Sequence, residues 1–329
     1  MWKKSVAVLW MFFSLASFLI KLWPSDRFLW TAPLAYFPPV LAVVITAAGF
    51  IFLKQQRNLF TLSIVPAIAS VIFLESPFFN APPVRQSRPE TIRILHWNIW
   101  SGRRGIERIV NEISRHDPHV ICLNEPKRSR AEKSYPPYAK LFEQATREEW
   151  HAWTESFMAI LSKYPVEQLR SINGPGYQGL LARIKSPAQG HKILLLDISP
   201  RITSSRQSIF QQIIRELKSF DPEVIVGDFN TPAHAHSLSR LRNHYEDVAA
   251  KWTYTWPTPM PMMRLDYVFL KRGISGSNYQ YGWTLLSDHA FQIVDIPSTS
   301  LQQINNDLSV LLSDLIDSNI DRSYFDFYI

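Results

Sequence analysis

From Phe28 to Leu53 the chain carries no charged side chain. A run of that length is neither an alternating strand nor an amphipathic helix. It exceeds the roughly 20 residues needed to cross a bilayer. Ser5 to Ile20 and Asn58 to Leu74 are also uncharged and close to the short limit for spanning. Residues 1–75 are therefore expected to form three transmembrane helices, with Pro33, Pro38, Pro39 and Pro66 at kinks or ends. The alternative is a cleaved leader followed by core helices. Lys3 and Lys4 resemble the basic start of a leader, but no small-residue cleavage site precedes Lys21.

Basic residues orient the spans. Lys3 and Lys4 flank the first, and Lys54 with Arg57 connects the second to the third, so both groups lie on one side, the cytoplasmic one. The contrast is small, because Lys21, Asp26 and Arg27 occupy the other loop. The expected result is a multi-pass protein of the cell (inner) membrane whose remainder faces outward. Trp2, Trp23, Trp30 and Tyr36 fit interfacial anchors. The net charge is +7, and the basic residues are scattered apart from Arg103-Arg104 and Lys127-Arg128 with Arg130. That fits a basic face near anionic headgroups better than a nucleic-acid groove. Cys122 is the single cysteine, so no intramolecular disulfide is possible.

Ser76 to Pro89 is a Pro-rich polar linker, within residues 76–90. Beyond it, Thr91–Trp97, Val120–Leu123, Ser156–Ser162, Gly179–Ile184, Lys192–Ile198, Glu223–Val226, Leu265–Leu270 and Ala290–Ile296 read as strands. Gly105–Arg115 and Ser204–Phe220 have apolar residues at helical spacing. Strands and helices alternate, yet hairpin-like pairs also occur. The predicted class is α+β: a mixed two-sheet β-sandwich flanked by helices, spanning 91–298. Leu301 to Ile316 has helical spacing within a tail, 299–329, that ends on the aromatic Tyr324 to Ile329.

Polar residues stand at the ends of the apolar strands. Glu125 ends one, and a carboxylate there is the hard oxygen ligand that Mg²⁺ or Mn²⁺ takes. Asn98 ends the preceding strand, where it could hold a metal-bound water or a phosphate. Asp228 and Asn230 alternate with Phe229, so both can face one side. There Asp228 would orient an attacking water and Asn230 donate to a phosphoryl oxygen. In the adjacent pair Asp288-His289, the carboxylate could serve a metal while the imidazole contacts phosphorus. Asp266 is the candidate partner fixing the His289 tautomer. Each piece alone has an ordinary structural reading as a turn or a cap. Their joint occurrence after strands points to metal-assisted attack of water on phosphorus. His234 and His236 could form a second metal pair or lie on the rim; Trp150, Trp153 and Trp252 could contact lipid or simply pack, and His151 could lie on a loop by the cleft.

The strings ILHWNIW, VICLNEP, FMAILSKYPV, VIVGDFNTP, RLDYVFL and LSDHAFQIVDI occur in that order between Thr91 and Ile296. This stretch resembles the endonuclease/exonuclease/phosphatase superfamily, with its DNase I-like fold. The resemblance implies that Glu125 is the metal ligand, with Asn98 beside it and Asp288 near the metal. It implies further that Asp228 orients water, that Asn230 contacts phosphate and that Asp266 partners a catalytic His289. Two departures stand out. Asp197 occupies a strand end where many members carry a His that contacts the scissile phosphate or acts as general acid; here it becomes a substrate-binding candidate. Asn124 replaces the Gln that usually precedes the Glu.

Spans followed by such a domain, with Thr255-Trp256-Pro257 before Asp266, also resemble the membrane-bound bacterial branch that includes the teicoplanin-resistance protein of the VanJ type. That resemblance implies a lipid or polyprenyl phosphate as substrate and membrane lipids as partners, with no obligate protein partner. Two alternatives remain: a nuclease of the same fold acting on DNA, and a non-catalytic binding module with a degenerate site.

Overall fold

The computed structural model describes residues 91–126, 137–187, 190–201, 204–249, 253–259, 261–274 and 276–298. The three expected spans, the linker and the tail from residue 299 lie outside the described residues, as do Lys127, Arg128, Arg130 and Trp252. Among the described residues no helix is long and apolar enough to cross a membrane.

In chain order the elements are β1 (Thr91–Asn98), α1 (Ile106–Ser114), β2 (Val120–Asn124), α2 (Tyr138–Thr146), β3 (His151–Glu155) and β4 (Met158–Ser162). There follow β5 (Val166–Gly174), β6 (Tyr177–Lys185), β7 (Gly190–Ile198), α3 (Arg206–Phe220) and β8 (Val224–Asp228). The last are α4 (Ser239–Arg242), β9 (Tyr245–Asp247), β10 (Asp266–Lys271), β11 (Ser277–Gly282) and β12 (Phe291–Pro297). One sheet runs β11-β12-β1-β2-β4-β3 and the other β5-β6-β7-β8-β10-β9. Each is antiparallel except at its centre, where a helix crossover makes β1–β2 and β7–β8 parallel.

Strand periodicity sorts the side chains into layers. Ile92, Ile94 and Cys122 of the first sheet meet Leu195, Val226 and Val268 of the second in the core between the sheets. The alternate residues face outward and are covered by helices. Leu95, Trp97 and Leu123 pack under Ile109, Val110 and Ile113 of α1 and Phe142 of α2. Leu194, Leu196 and Phe269 pack under Ile209, Phe210, Ile213 and Leu217 of α3. Burying each of these α3 side chains contributes about 1.5–3 kcal/mol. Ser205 starts α3 by accepting a hydrogen bond from the Ser208 amide, 3.3 Å away. Covering both faces explains why the central strands read as near-continuous apolar runs.

The predicted sandwich with outer helices is the architecture found, with local corrections. The strand expected from Ser156 begins at Met158, because Ser156 and Phe157 form a two-residue hairpin turn with φ 49° and 68°. The helix expected from Ser204 begins at Arg206. Strands β3, β5, β9 and β11 and helices α2 and α4 were absent from the expectation. β3, β5, β9 and β11 lie at or near sheet edges, where half-exposed sequences such as VEQLRSING carry no clean apolar alternation. Cys122 is buried, which pushes its thiol well above the ordinary range.

Candidate active site

The topology gathers the predicted residues at one end of the sandwich. Asn98 closes β1 and Glu125 follows β2, its parallel neighbour. Asp197 and Asp228 sit side by side near the ends of the parallel β7 and β8. Asp266 opens the antiparallel β10 directly opposite Asp228. His289 precedes β12, which runs antiparallel to β1.

Asn98 links the two sheets. Its Nδ2 donates to Asp228 Oδ2 at 3.0 Å and lies 3.4 Å from Glu125 Oε1. Its Oδ1 accepts from the Trp100 amide at 3.1 Å. The Ser101 hydroxyl approaches the other Glu125 oxygen at 3.4 Å. Trp100, Ser101 and Glu125 all adopt left-handed backbone, with φ 47°, 58° and 52°. Such strain at a site persists only where the surroundings hold it. The Glu125 amide does so by donating to the Phe157 carbonyl at the tip of the β3–β4 hairpin, at 2.9 Å.

A second cross-sheet link lies beneath. His96 Nε2 contacts Asn124 Oδ1 at 2.8 Å, and Asn124 Nδ2 donates to the Leu196 carbonyl at 3.0 Å. The contact to an acceptor oxygen places the proton on Nε2, and burial lowers the His96 pKa, so the ring is neutral. Asn124, shorter than the Gln expected there, thus fastens β2 to β7.

His289 Nδ1 lies 2.8 Å from Asp266 Oδ2, and its Nε2 is 3.9 Å from Asp228 Oδ2. The carboxylate can only accept, so Nδ1 carries a proton and Nε2 faces Asp228. Burial pulls the imidazole down, but Asp266 and Asp228 outweigh it and push its pKa up to about 10. Burial raises Asp266, but the neighbouring imidazolium holds it below its ordinary value. Asp228 goes the other way: burial, with Asp266 and Asp197 close by, raises it. His289 is thus a cation at neutral pH, oriented by one carboxylate and aimed at another.

The motif residues around this core have physical reasons. The Ser287 hydroxyl donates to the Asn98 carbonyl at 2.6 Å and accepts from the His289 amide at 3.1 Å. Trp97 Nε1 donates to the His289 carbonyl at 2.9 Å. Thr255 Oγ1 accepts from the amides of Leu265 and Asp266, at 3.0 and 3.2 Å. Trp256 Nε1 donates to Asp288 Oδ2 at 3.3 Å. The Thr-Trp-Pro string therefore braces both Asp266 and the His289 loop. Asp288 Oδ1 is buried without a partner. None of the described contacts joins Asp288 to Glu125.

Asn230 has φ 45°, a conformation asparagine tolerates. Its amide donates to Asp228 Oδ1 at 2.9 Å, and its Nδ2 donates to the Ile198 carbonyl at 2.8 Å. Asp197 Oδ2 accepts from Gln178 Nε2 at 2.6 Å. A cavity of about 510 Å³ opens over these groups, lined by Glu125, Gln178, Asp197, Ser199, Arg201 and Asn230.

Among the described residues, one group of candidate ligand atoms lies within 4.8 Å of one another: those of Asp228, Asp266 and His289. A cation there would compete with the proton that His289 shares with Asp266. Glu125 offers a different donor set. It is half-buried at the cavity, and among the described residues its oxygens make only the two 3.4 Å contacts, leaving lone pairs for a hard cation. His234 and His236 are not members of that compact group. Trp150 and Trp153 are buried in the cores on either side of the first sheet, not presented to lipid. His151 lies on edge strand β3, 4.0 Å from Glu149.

Arg206 was not anticipated, since a basic residue at a helix start reads as solvated. It is 1% exposed, its Nη2 donates to the Asn230 carbonyl at 3.1 Å, and its Nε and Nη1 are buried without partners. Arg206→Met is expected to change stability little, because burying an unpaired guanidinium offsets one hydrogen bond. It should lower turnover up to roughly 100-fold by loosening Asn230. Thermal unfolding alongside hydrolysis of a chromogenic phosphoester checks both; unchanged turnover would remove Arg206 from the site.

Residues 95–289 match the model of the endonuclease/exonuclease/phosphatase family. The endonuclease domain of TRAS1, a telomere-specific non-LTR retrotransposon, is 15% identical with a TM-score of 0.46, over 64% of this chain and 100% of that one. An endonuclease/exonuclease/phosphatase family protein from Bacteroides thetaiotaomicron is 12% identical with a TM-score of 0.49, over 66% and 100%. D. rerio TDP2 complexed with a single-strand DNA product is 16% identical with a TM-score of 0.46, over 63% and 98%. No curated protein matches the sequence. The family match spans more than half of the chain and runs from β1 to the catalytic candidate His289: the chain belongs to the endonuclease/exonuclease/phosphatase family, whose members generally hydrolyse phosphoester bonds.

Proposed function

We propose that this chain is a membrane-anchored, divalent-metal-dependent phosphohydrolase that cleaves a lipid or polyprenyl phosphate outside the cytoplasm. The observation that carries the reading is the chain Asn98–Asp228–His289–Asp266, joined through Asn98 to Glu125 and through Asp228 to Asn230, two residues that line a polar cavity. A Mg²⁺ or Mn²⁺ ion held by Glu125, with Asn98 and Asp288 nearby, would neutralise phosphate charge. The protein's own residues do the rest. Asp228 orients a water for attack on phosphorus and takes its proton, while the bond to the leaving oxygen breaks. The His289 cation, locked by Asp266, stabilises charge on the phosphoryl oxygens. Asn230 donates to one of those oxygens, and Asp197 accepts from a hydroxyl of the substrate. The uncharged run Phe28–Leu53 supports the anchor, and tethering raises the local concentration of a lipid substrate.

The deciding experiment measures phosphate release by the full-length protein in detergent. Undecaprenyl pyrophosphate, phosphatidic acid and a DNA duplex are compared, with Mg²⁺ and with EDTA. Release from a lipid that needs Mg²⁺ is expected, and Glu125→Gln should raise the Mg²⁺ requirement by roughly 10–100-fold. Cleavage of DNA alone would replace the lipid reading with a nuclease. Turnover of nothing, with Asp197 standing where many members carry His, would favour a binding module.

A further inference from the structure

Among the described residues the large apolar side chains most exposed to solvent are Trp283 and Leu285, at 49% and 69%. Both lie in the connection between β11 and the catalytic loop, within six residues of His289. This connection is anchored. Leu286 is buried against the core under α1, the Thr284 hydroxyl accepts from the Leu286 amide at 3.1 Å, and Ser287 is tied to Asn98. Residues 283 and 285 are therefore held outward by their neighbours. Isolated exposed apolar residues are ordinary, but two held two positions apart beside exposed arginines form a surface.

The surroundings are basic. A depression of about 400 Å³ separates Leu285 from α1 and is lined by Arg108 and Arg115. Arg103 and Arg104, which precede α1, lie 4.9 and 5.7 Å from the Trp100 ring. All four arginines are exposed. Of the acidic residues on α1, Glu112 is engaged by Arg115 at 2.9 Å, leaving Glu107 against Arg103, Arg104 and Arg108.

We propose that this rim docks on an anionic lipid bilayer: Trp283 and Leu285 enter the interfacial region, and the arginines of the α1 face contact lipid phosphates. The inference rests on the anchored, lipid-directed reading above. An indole is suited to the headgroup level, and anionic headgroups attract arginine. Leu285, the more exposed of the two, has an apolar partner in acyl chains and none in a phosphodiester backbone. Docked in this way, the connection that carries His289 lies close to the membrane surface, where a lipid phosphate lies.

The test uses full-length protein in nanodiscs. Leu285→Cys is labelled with an environment-sensitive fluorophore under native conditions, where buried Cys122 is protected. Discs of phosphatidylcholine alone are compared with discs that include phosphatidylglycerol. The label should shift to the blue in anionic discs, and the shift should be lost in high salt or with Arg104→Glu and Arg108→Glu together. Trp283→Ser with Leu285→Ser should lower hydrolysis of disc-borne lipid phosphate roughly tenfold while leaving a soluble phosphoester unaffected. Aqueous emission in both kinds of disc would overturn the proposal, as would a shift produced by a DNA duplex but not by anionic lipid. If the chain elutes apart from the discs, the anchor reading fails, and the same label read against free anionic vesicles still decides the docking surface.

Discussion

His289→Ala is expected to lower phosphoester hydrolysis by roughly 10²–10⁴-fold, the range for removing a positioned acid–base or charge-stabilising group. The imidazole is fully engaged: Asp266 holds Nδ1 at 2.8 Å and Nε2 faces Asp228. Removing it also strands the Asp266 carboxylate, which is 0% exposed, so stability should fall by about 3–5 kcal/mol. That loss has a pH signature, read in EDTA by comparing the thermal midpoints of parent and variant. The pKa of His289 is raised from 6.5 to about 10, so its contribution is fully present below pH 6.5 and fades as pH climbs through 10. The pKa of Asp266 is lowered from 3.8, so its contribution is present above that value and fades in acid. The gap between parent and variant should be widest between pH 4 and 6.5 and narrow toward pH 10. A gap independent of pH would mean that the buried ion pair is absent in solution. Turnover equal to the parent's would remove His289 from catalysis.

Gly227→Ala should yield no stably folded protein, a loss above about 4 kcal/mol. Gly227 has φ 152°, and an added Cβ would stand 1.9 Å from the carbonyl oxygen of Leu196, its partner on β7. That carbonyl cannot retreat freely, because it accepts the Asn124 amide that joins the sheets. The glycine before Asp228 is therefore a requirement of close strand approach beneath the site, not of the chemistry itself. Gly190→Ala is the control. Its Cβ would meet the side chain of Arg183, which can shift, at 2.8 Å and the Ile184 carbonyl at an ordinary 3.6 Å, and should cost under about 1 kcal/mol. Circular dichroism melts of the two variants distinguish the cases; a Gly227→Ala midpoint within a few degrees of the parent's would contradict this packing.

Much of this protein is legible one residue at a time. Strand ends carrying Asn98, Glu125, Asp228 and His289 follow apolar runs, and apolar runs follow from strands buried on both faces. The central strands, α1, α3 and the two-sheet class were readable on that ground. Edge strands were not, because β5 and β11 answer to solvent on one side and to a single neighbour on the other, which leaves little pattern in the chain. The charge states of His289 and Asp228 were hidden for a different reason. They depend on which carboxylates stand within a few ångströms, and Asp266 reaches His289 only because β10 runs antiparallel to β8.

Local sequence thus determined which segments form the central strands of both sheets and which residue types stand at their ends, because burial on both faces is written along the chain itself. Only the tertiary structure decided that Asn98 binds Asp228 across two sheets and that Arg206 is buried under Asn230. It alone placed Asp288 against Trp256 and left Trp283 and Leu285 outside. Those outcomes depend on contacts between residues far apart in the chain, and no periodicity records which distant surfaces will meet.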